Sequence, residues 1–159
     1  MDALLALLQR DARLSHEDLA AQLNLTVDEV GRRVRAFETE GVILGYAAVI
    51  DADKTGDTSV TAVIEVKITP EREGGFDRLA DRIARFEQVQ SCYLMSGGYD
   101  LMVVVEGSSL REVASFISEK LSTLAGVIGT ATHFRLKAYK ENGVLRAPPE
   151  PTARLAVSP

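Results

Sequence analysis

The chain has 159 residues, a formal net charge of −5 and an apolar fraction of 46%, enough for one large domain or two small ones with a real core. Its longest apolar runs, such as Leu101 to Val105, are too short to cross a bilayer, and Met1 leads straight into an amphipathic segment with no basic leader, so a soluble cytoplasmic protein is expected. The single cysteine, Cys92, excludes an intramolecular disulfide and a cysteine-based metal cage.

Asp2 to Arg10 reads as a first helix, with Leu4, Leu5, Leu7 and Leu8 on its buried side. Ser15–Leu23 and Val27–Glu40 read as two more. Ser15 with Asp18, and Thr26 with Glu29, place a hydroxyl to accept a first-turn N–H, and the trailing acid faces the positive helix end. Leu19, Ala20 and Leu23 give one helix its apolar face; Val30, Val34 and Phe37 do so for the next. Asn24-Leu25 is the turn between them, and Gly41 is the stop. The unit predicts a helix-turn-helix. On its outer face stand Asp28, Arg32, Arg35 and Thr39, opposite Val30, Val34 and Phe37. Such arginines can reach phosphates or guanine edges. The same spacing in Asp28–Arg32 and Glu29–Arg33 also suits a solvated ion-pair ladder, so a plain helical hairpin fits equally well. Charge argues mildly against DNA, because Arg10, Arg13, Arg32, Arg33 and Arg35 are outnumbered by Asp2, Asp11, Glu17, Asp18, Asp28, Glu29, Glu38 and Glu40.

Val42 to Ile50 is β-branched and apolar and predicts a strand leading out of the helical unit; Asp51 to Ser59 is a polar, turn-rich connector. Val60–Thr69 predicts a strand with Ala62, Ile64, Val66 and Ile68 on one face and Val63, Glu65 and Lys67 on the other, ended by Pro70. Phe76, Leu79, Ala80, Ile83 and Phe86 recur at helical spacing. Val89–Met95 and Leu101–Glu106 predict two strands joined by Ser96-Gly97-Gly98-Tyr99-Asp100. Ser109 and Glu112 cap a second helix carrying Leu110, Val113, Ala114, Ile117, Leu121 and Leu124, which Gly126 closes before a last strand, Val127–Tyr139. This β-α-β-β-α-β order predicts an α+β fold whose second half is ferredoxin-like, with a four-stranded antiparallel sheet carrying both helices on one face. Leu101–Val105 lacks alternation, so the other face should also be covered, most economically by a second copy. The expected layout is a helix-turn-helix over 1–46, a linker strand and connector over 47–59, the ferredoxin-like domain over 60–140, and a mobile, Pro-rich tail over 141–159.

The order of parts and the residues at their joints resemble the Lrp/AsnC family of bacterial and archaeal transcription regulators. The matching residues are Leu19-Ala20, Leu23, Leu25-Thr26, Val30, Arg33-Val34, Phe37-Glu38, Gly41-Val42-Ile43 and Gly45-Tyr46, followed by Gly97-Gly98-Tyr99-Asp100 for the family's Gly-x-aromatic-Asp turn. The resemblance implies a winged helix-turn-helix joined to an effector-binding domain that dimerises, with dimers commonly assembling into octamers. It implies double-stranded DNA as partner, read by Thr26, Asp28, Arg32, Arg33 and Arg35, and a small effector, often an amino acid, near Gly97, Gly98, Tyr99 and Asp100. Glycines there expose backbone N–H groups suited to a carboxylate, and Asp100 suits an ammonium; a plain hairpin connection uses the same residues.

No catalytic, metal or cofactor site is expected. His16 is on a first helical turn, His133 on the outward phase of the last strand, and neither has a nucleophile or ligand set at motif spacing. Cys92 reads as a core strand residue. Siroheme decarboxylases resemble the same architecture, but Tyr99-Asp100-Leu101-Met102-Val103-Val104 lacks their histidine string and tryptophan. A ligand-sensing or architectural protein without specific DNA binding is the third reading.

Overall fold

Helix α1 (Ala3–Arg10) begins where the Asp2 side chain accepts the Leu4 N–H, and α2 (His16–Leu23) where Ser15 accepts that of Asp18. Asn24, in the left-handed region at φ 53°, turns the chain into α3 (Val27–Thr39), which Thr26 caps by accepting the Glu29 N–H. Gly41 at φ 70° ends α3 in a Schellman arrangement: Val42 N–H donates to Phe37 O and Gly41 N–H to Glu38 O. Leu4, Leu19, Ala20, Val30 and Val34 form the buried core of this unit, with Leu7, Leu8, Leu14, Leu23, Leu25 and Phe37 packed around it. Leu5 is only half-buried.

The computed structural model describes residues 1–69 and 75–146. The chain divides into two compact units, Met1–Ala48 and a second that begins at Val49. The strand stop expected at Pro70, and the tail beyond Arg146, lie outside the described residues.

The strand expected over Val42–Ile50 does not form. This stretch runs without a ladder, and with it the expected wing is missing from the described first unit. A strand needs a partner for its N–H and C=O groups, and among the described residues none pairs with this one. Val42, Leu44, Tyr46, Val49 and Ile50 are all exposed. The connector instead contains one helical turn, α4 (Ala52–Thr55), ended by Gly56.

The second unit is the ferredoxin-like fold. Strands β1 (Val60–Ile68), β2 (Val89–Leu94), β3 (Leu101–Gly107) and β4 (Val127–Phe134) form one antiparallel sheet in the order β2-β3-β1-β4. One face carries α5 (Asp77–Ala84) and α6 (Leu110–Ser115), which continues as a π-helical segment, Phe116–Leu121. Ala62, Ile64, Val66, Leu101, Val103 and Val105 from the central strands meet Leu79, Ile83, Val113, Phe116 and Leu121 from the helices. Burying each such side chain fully is worth about 1.5–3 kcal/mol, so these contacts dominate the unit's stability.

Three details depart from the sequence reading. The α6 stripe does not hold its expected phase, since Leu110 is exposed and Phe116 is buried. The π segment explains the burial of Phe116: widening the turn brings Phe116 and Leu121, five apart, onto the same buried face. Next, β3 alternates in burial after all, with Met102, Val104 and Glu106 half-buried on the face that the helices leave open. Last, the final strand stops at Phe134 rather than Tyr139, and the expected tail opens with a hairpin of β5 (Lys140–Glu141) and β6 (Val144–Leu145). Asn142 and Gly143 both have positive φ, the signature of a type I′ turn.

Candidate nucleic-acid interface and effector turn

Helix α3 buries Val30, Gly31 and Val34 and exposes Asp28, Arg32, Arg35 and Thr39. Gly31 lies inside the contact with α2: a Cβ there would stand 3.5 Å from the His16 ring and 3.4 Å from the Arg35 guanidinium. Sequence reasoning did not single out Gly31. Its signal was a glycine inside an otherwise regular helix, which commonly marks a close approach.

The five residues expected to meet DNA do not share one situation. Thr26 spends its hydroxyl on the helix cap, at 3.2 Å from the Glu29 nitrogen. Asp28 is exposed on the first turn. Arg33 is turned away from the outer face: its Nη2 meets Asp2 Oδ2 at 2.5 Å, while Asp2 Oδ1 caps α1. This bidentate use of Asp2 staples α3 to α1 and gives Arg33 a structural task. Arg32 and Arg35 remain exposed, and among the described residues neither forms an ion pair. The Asp28–Arg32 and Glu29–Arg33 ladder does not form, so two cations stand on the outer face of α3 with their charge unspent.

At the far end of α3, Tyr46 Oη donates to Glu38 Oε1 at 3.0 Å. Desolvation and this acidic neighbour both push the Tyr46 phenol above its ordinary value. The bond fixes the first residues of the connector to the helix they leave.

In the second unit, Gly97 and Gly98 are exposed and Tyr99 and Asp100 half-buried. Met95 N–H donates to Asp100 O at 2.8 Å, and Asp100 N–H to Val66 O at 3.0 Å. The Asp100 carboxylate is partly committed as well, since Ile68 N–H donates to its Oδ2 at 2.8 Å. That N–H sits where the β1–β4 register shifts between Lys67 and Ile68, so Asp100 satisfies a donor at the irregularity. The residue expected to hold a ligand ammonium is thus also a latch between turn and sheet.

Beside the turn, Glu65, Lys67, Tyr99, Gly129, Thr130 and Ala131 line a depression of about 200 Å³. Glu65 and Lys67 alternate out of the core along β1, so an acid and a base share one wall. Their outward phase was readable in the sequence, but their nearness to Tyr99 was not. Glu65 Oε1 also meets His133 Nε2 at 3.3 Å, and His133 lies on the outward face of β4 as expected. Cys92 is half-buried with its Sγ toward Ala80 O at 3.9 Å, and burial, then the Asp81 charge, push its thiol upward.

Comparison with known proteins agrees with both halves. Residues 2–38 match the AsnC-type helix-turn-helix domain, and residues 61–145 match the Lrp/AsnC ligand binding domain. The chain is 46% identical over 157 residues to the uncharacterised HTH-type transcriptional regulator YugG of Bacillus subtilis, covering 98% of this chain and 95% of that one. The crystal structure of MtbAldR superposes with a TM-score of 0.76 at 25% identity, covering 93% of this chain and all of that one. The leucine response regulatory protein LrpA of Mycobacterium tuberculosis superposes with a TM-score of 0.72 at 27% identity, covering 89% and 97%. With both halves matched by the family's two domains, the protein belongs to the Lrp/AsnC family of DNA-binding transcription regulators.

Proposed function

We propose that this regulator reads double-stranded DNA through Arg32 and Arg35 of α3 and answers to an amino-acid effector held at the Gly97–Asp100 turn. Two copies pair through the open face of the sheet, and such dimers stack further, toward an octamer, in the cytoplasm. The observation that carries the DNA half is the split among the α3 arginines: Arg33 is pinned to Asp2, whereas Arg32 and Arg35 keep their charge for an external anion. With a chain of net charge −5, specific affinity then depends on few cations multiplied by pairing. The effector half is supported by the wall of the depression beside Tyr99, where Lys67 offers a cation and Glu65 an anion to a zwitterion. The mycobacterial relative's name carries a leucine response, which is in keeping with that chemistry.

The test is fluorescence anisotropy with the duplex upstream of the protein's own gene, against a scrambled duplex, across a salt series. Wild type should prefer the native duplex and bind with steep salt dependence. Arg32→Ala should weaken binding and lower the salt slope by about one, as loss of one phosphate contact does. Arg33→Ala should instead lower the unfolding midpoint and leave the slope alone. Binding with no preference at any salt, by folded protein, would favour a sensor that does not read specific DNA.

A further inference from the structure

Arg146 follows the last hairpin, and its side chain is 14% exposed. Its Nη1 lies 3.4 Å from Asp51 Oδ1 and 3.2 Å from Asp53 Oδ2, and its Nη2 lies 3.1 Å from Glu141 Oε2. Arg135 Nη1 holds the other oxygen of Glu141 at 2.7 Å. The Arg146 main chain is fixed too, its N–H donating to Tyr139 O at 3.0 Å. On the connector side, Asp51 Oδ1 is shielded from solvent and has no hydrogen bond among the described residues, so the Arg146 charge is what compensates it. A planar guanidinium can bridge three carboxylates in this way, whereas an ammonium cannot match the fork. Removing the arginine would strand a shielded carboxylate, which is the costly direction for such a cluster.

The connector is therefore held at two places. Tyr46 ties its beginning to Glu38 of α3, and Arg146 ties Asp51 and Asp53 to the hairpin of the second unit. Ala47, Ala48, Val49 and Ile50 remain between these anchors. We infer that Arg146 is a positioning residue for DNA binding: by clamping Asp51 and Asp53 it shortens the free chain that tethers each DNA-reading unit, and so raises the effective concentration of the second unit once the first has bound. The inference rests on the proposed reading of DNA by paired copies. Without the clamp, free chain extends from 47–50 to about 47–59, roughly threefold longer. Effective concentration falls as about the −3/2 power of tether length, so the gain from a second half-site should drop by roughly fivefold.

Two variants of the full chain test this, Arg146→Ala from the hairpin side and Asp51→Asn/Asp53→Asn from the connector side. Both should speed amide hydrogen exchange over 49–56 while the amides of β1 and β3 stay protected. Both should lose about fivefold in affinity for the footprinted duplex and nothing for the same duplex cut at the centre of the footprint. A structural defect alone would weaken both duplexes equally. Arg146→Lys should fall between wild type and Arg146→Ala in both readouts. Unchanged exchange over 49–56 in the connector-side variant, or equal losses on whole and cut duplexes, would overturn the inference. Should wild type itself gain nothing from the second half-site, the paired reading falls, and exchange over 49–56 still decides whether the clamp exists.

Discussion

At the scale of single residues, charged groups in this chain divide into those spent inside the fold and those left for partners. Asp100 is spent inside the fold, on the Ile68 N–H, and is proposed to serve the effector as well. Asp100→Ala removes the acceptor of the Ile68 N–H and should cost about 1–2 kcal/mol in urea unfolding. Asp100→Asn keeps an oxygen for that bond and should recover most of the loss. If the effector needs the negative charge, the asparagine variant will fold normally and still fail to bind amino acids by calorimetry; normal binding would limit Asp100 to its latch. The turn itself could be read from Gly97-Gly98-Tyr99-Asp100. The latch could not, because its partner lies 32 positions upstream. Arg33 and Asp2, 31 positions apart, were hidden for the same reason. Pairings set by tertiary packing leave no local periodicity to find. Glu141 shows what such distant pairings do. Partial burial opposes its ionisation, but hydrogen bonds from Arg146 and Arg135 hold its carboxyl below the ordinary value.

At the scale of elements, the three N-terminal helices and the alternating strands were legible because their caps and periods are local properties. Thr26 and Ser15 cap where the pattern placed them, and β1 buries the face its alternation marks. What escaped were features that break a period. The π segment moves Phe116 into the core by altering the turn, while the sequence was read with a constant one. The last hairpin has strands of two residues each, too short for alternation, and its one signal was Asn142-Gly143. Gly31 offers a quantitative check on α3. A methyl at this position meets its neighbours at ordinary contact distances, and alanine holds helix better than glycine by about 0.5–1 kcal/mol. Gly31→Ala should therefore raise the thermal midpoint, whereas Gly31→Val should lower it by forcing the His16 ring aside. A lower midpoint for alanine would mean that the α2–α3 contact has no slack.

At the scale of the whole molecule, each unit has its own buried cluster, Leu4–Val34 in one and Ala62–Leu124 in the other. The family resemblance was carried by the joints between elements: Gly97–Asp100 forms the turn expected of it and Gly41 ends α3 as expected, whereas Val42–Tyr46 beyond it does not form the expected strand. The absence of a basic excess also makes sense at this scale. If DNA is read through Arg32 and Arg35 as proposed, each unit gains little from any stretch of DNA taken at random, and selectivity would come from the number of units engaged more than from each one's grip.

The uncapped run Val42–Ile50 has a further consequence, in the life of the chain before assembly. VILGYAAVI has no charge and no proline, is rich in β-formers, and is exposed from Leu44 onward without a strand ladder. That is the composition of a segment that stacks with copies of itself. A nascent or clipped chain ending just after it would present a sticky terminus attached to a folded helical unit. Light scattering should show a fragment ending at Ile50 growing into aggregates at concentrations where one ending at Gly41 stays dispersed. Equal scattering from the two would show that the run is harmless. Should the longer fragment aggregate, cells that make this regulator would have reason to keep its synthesis complete.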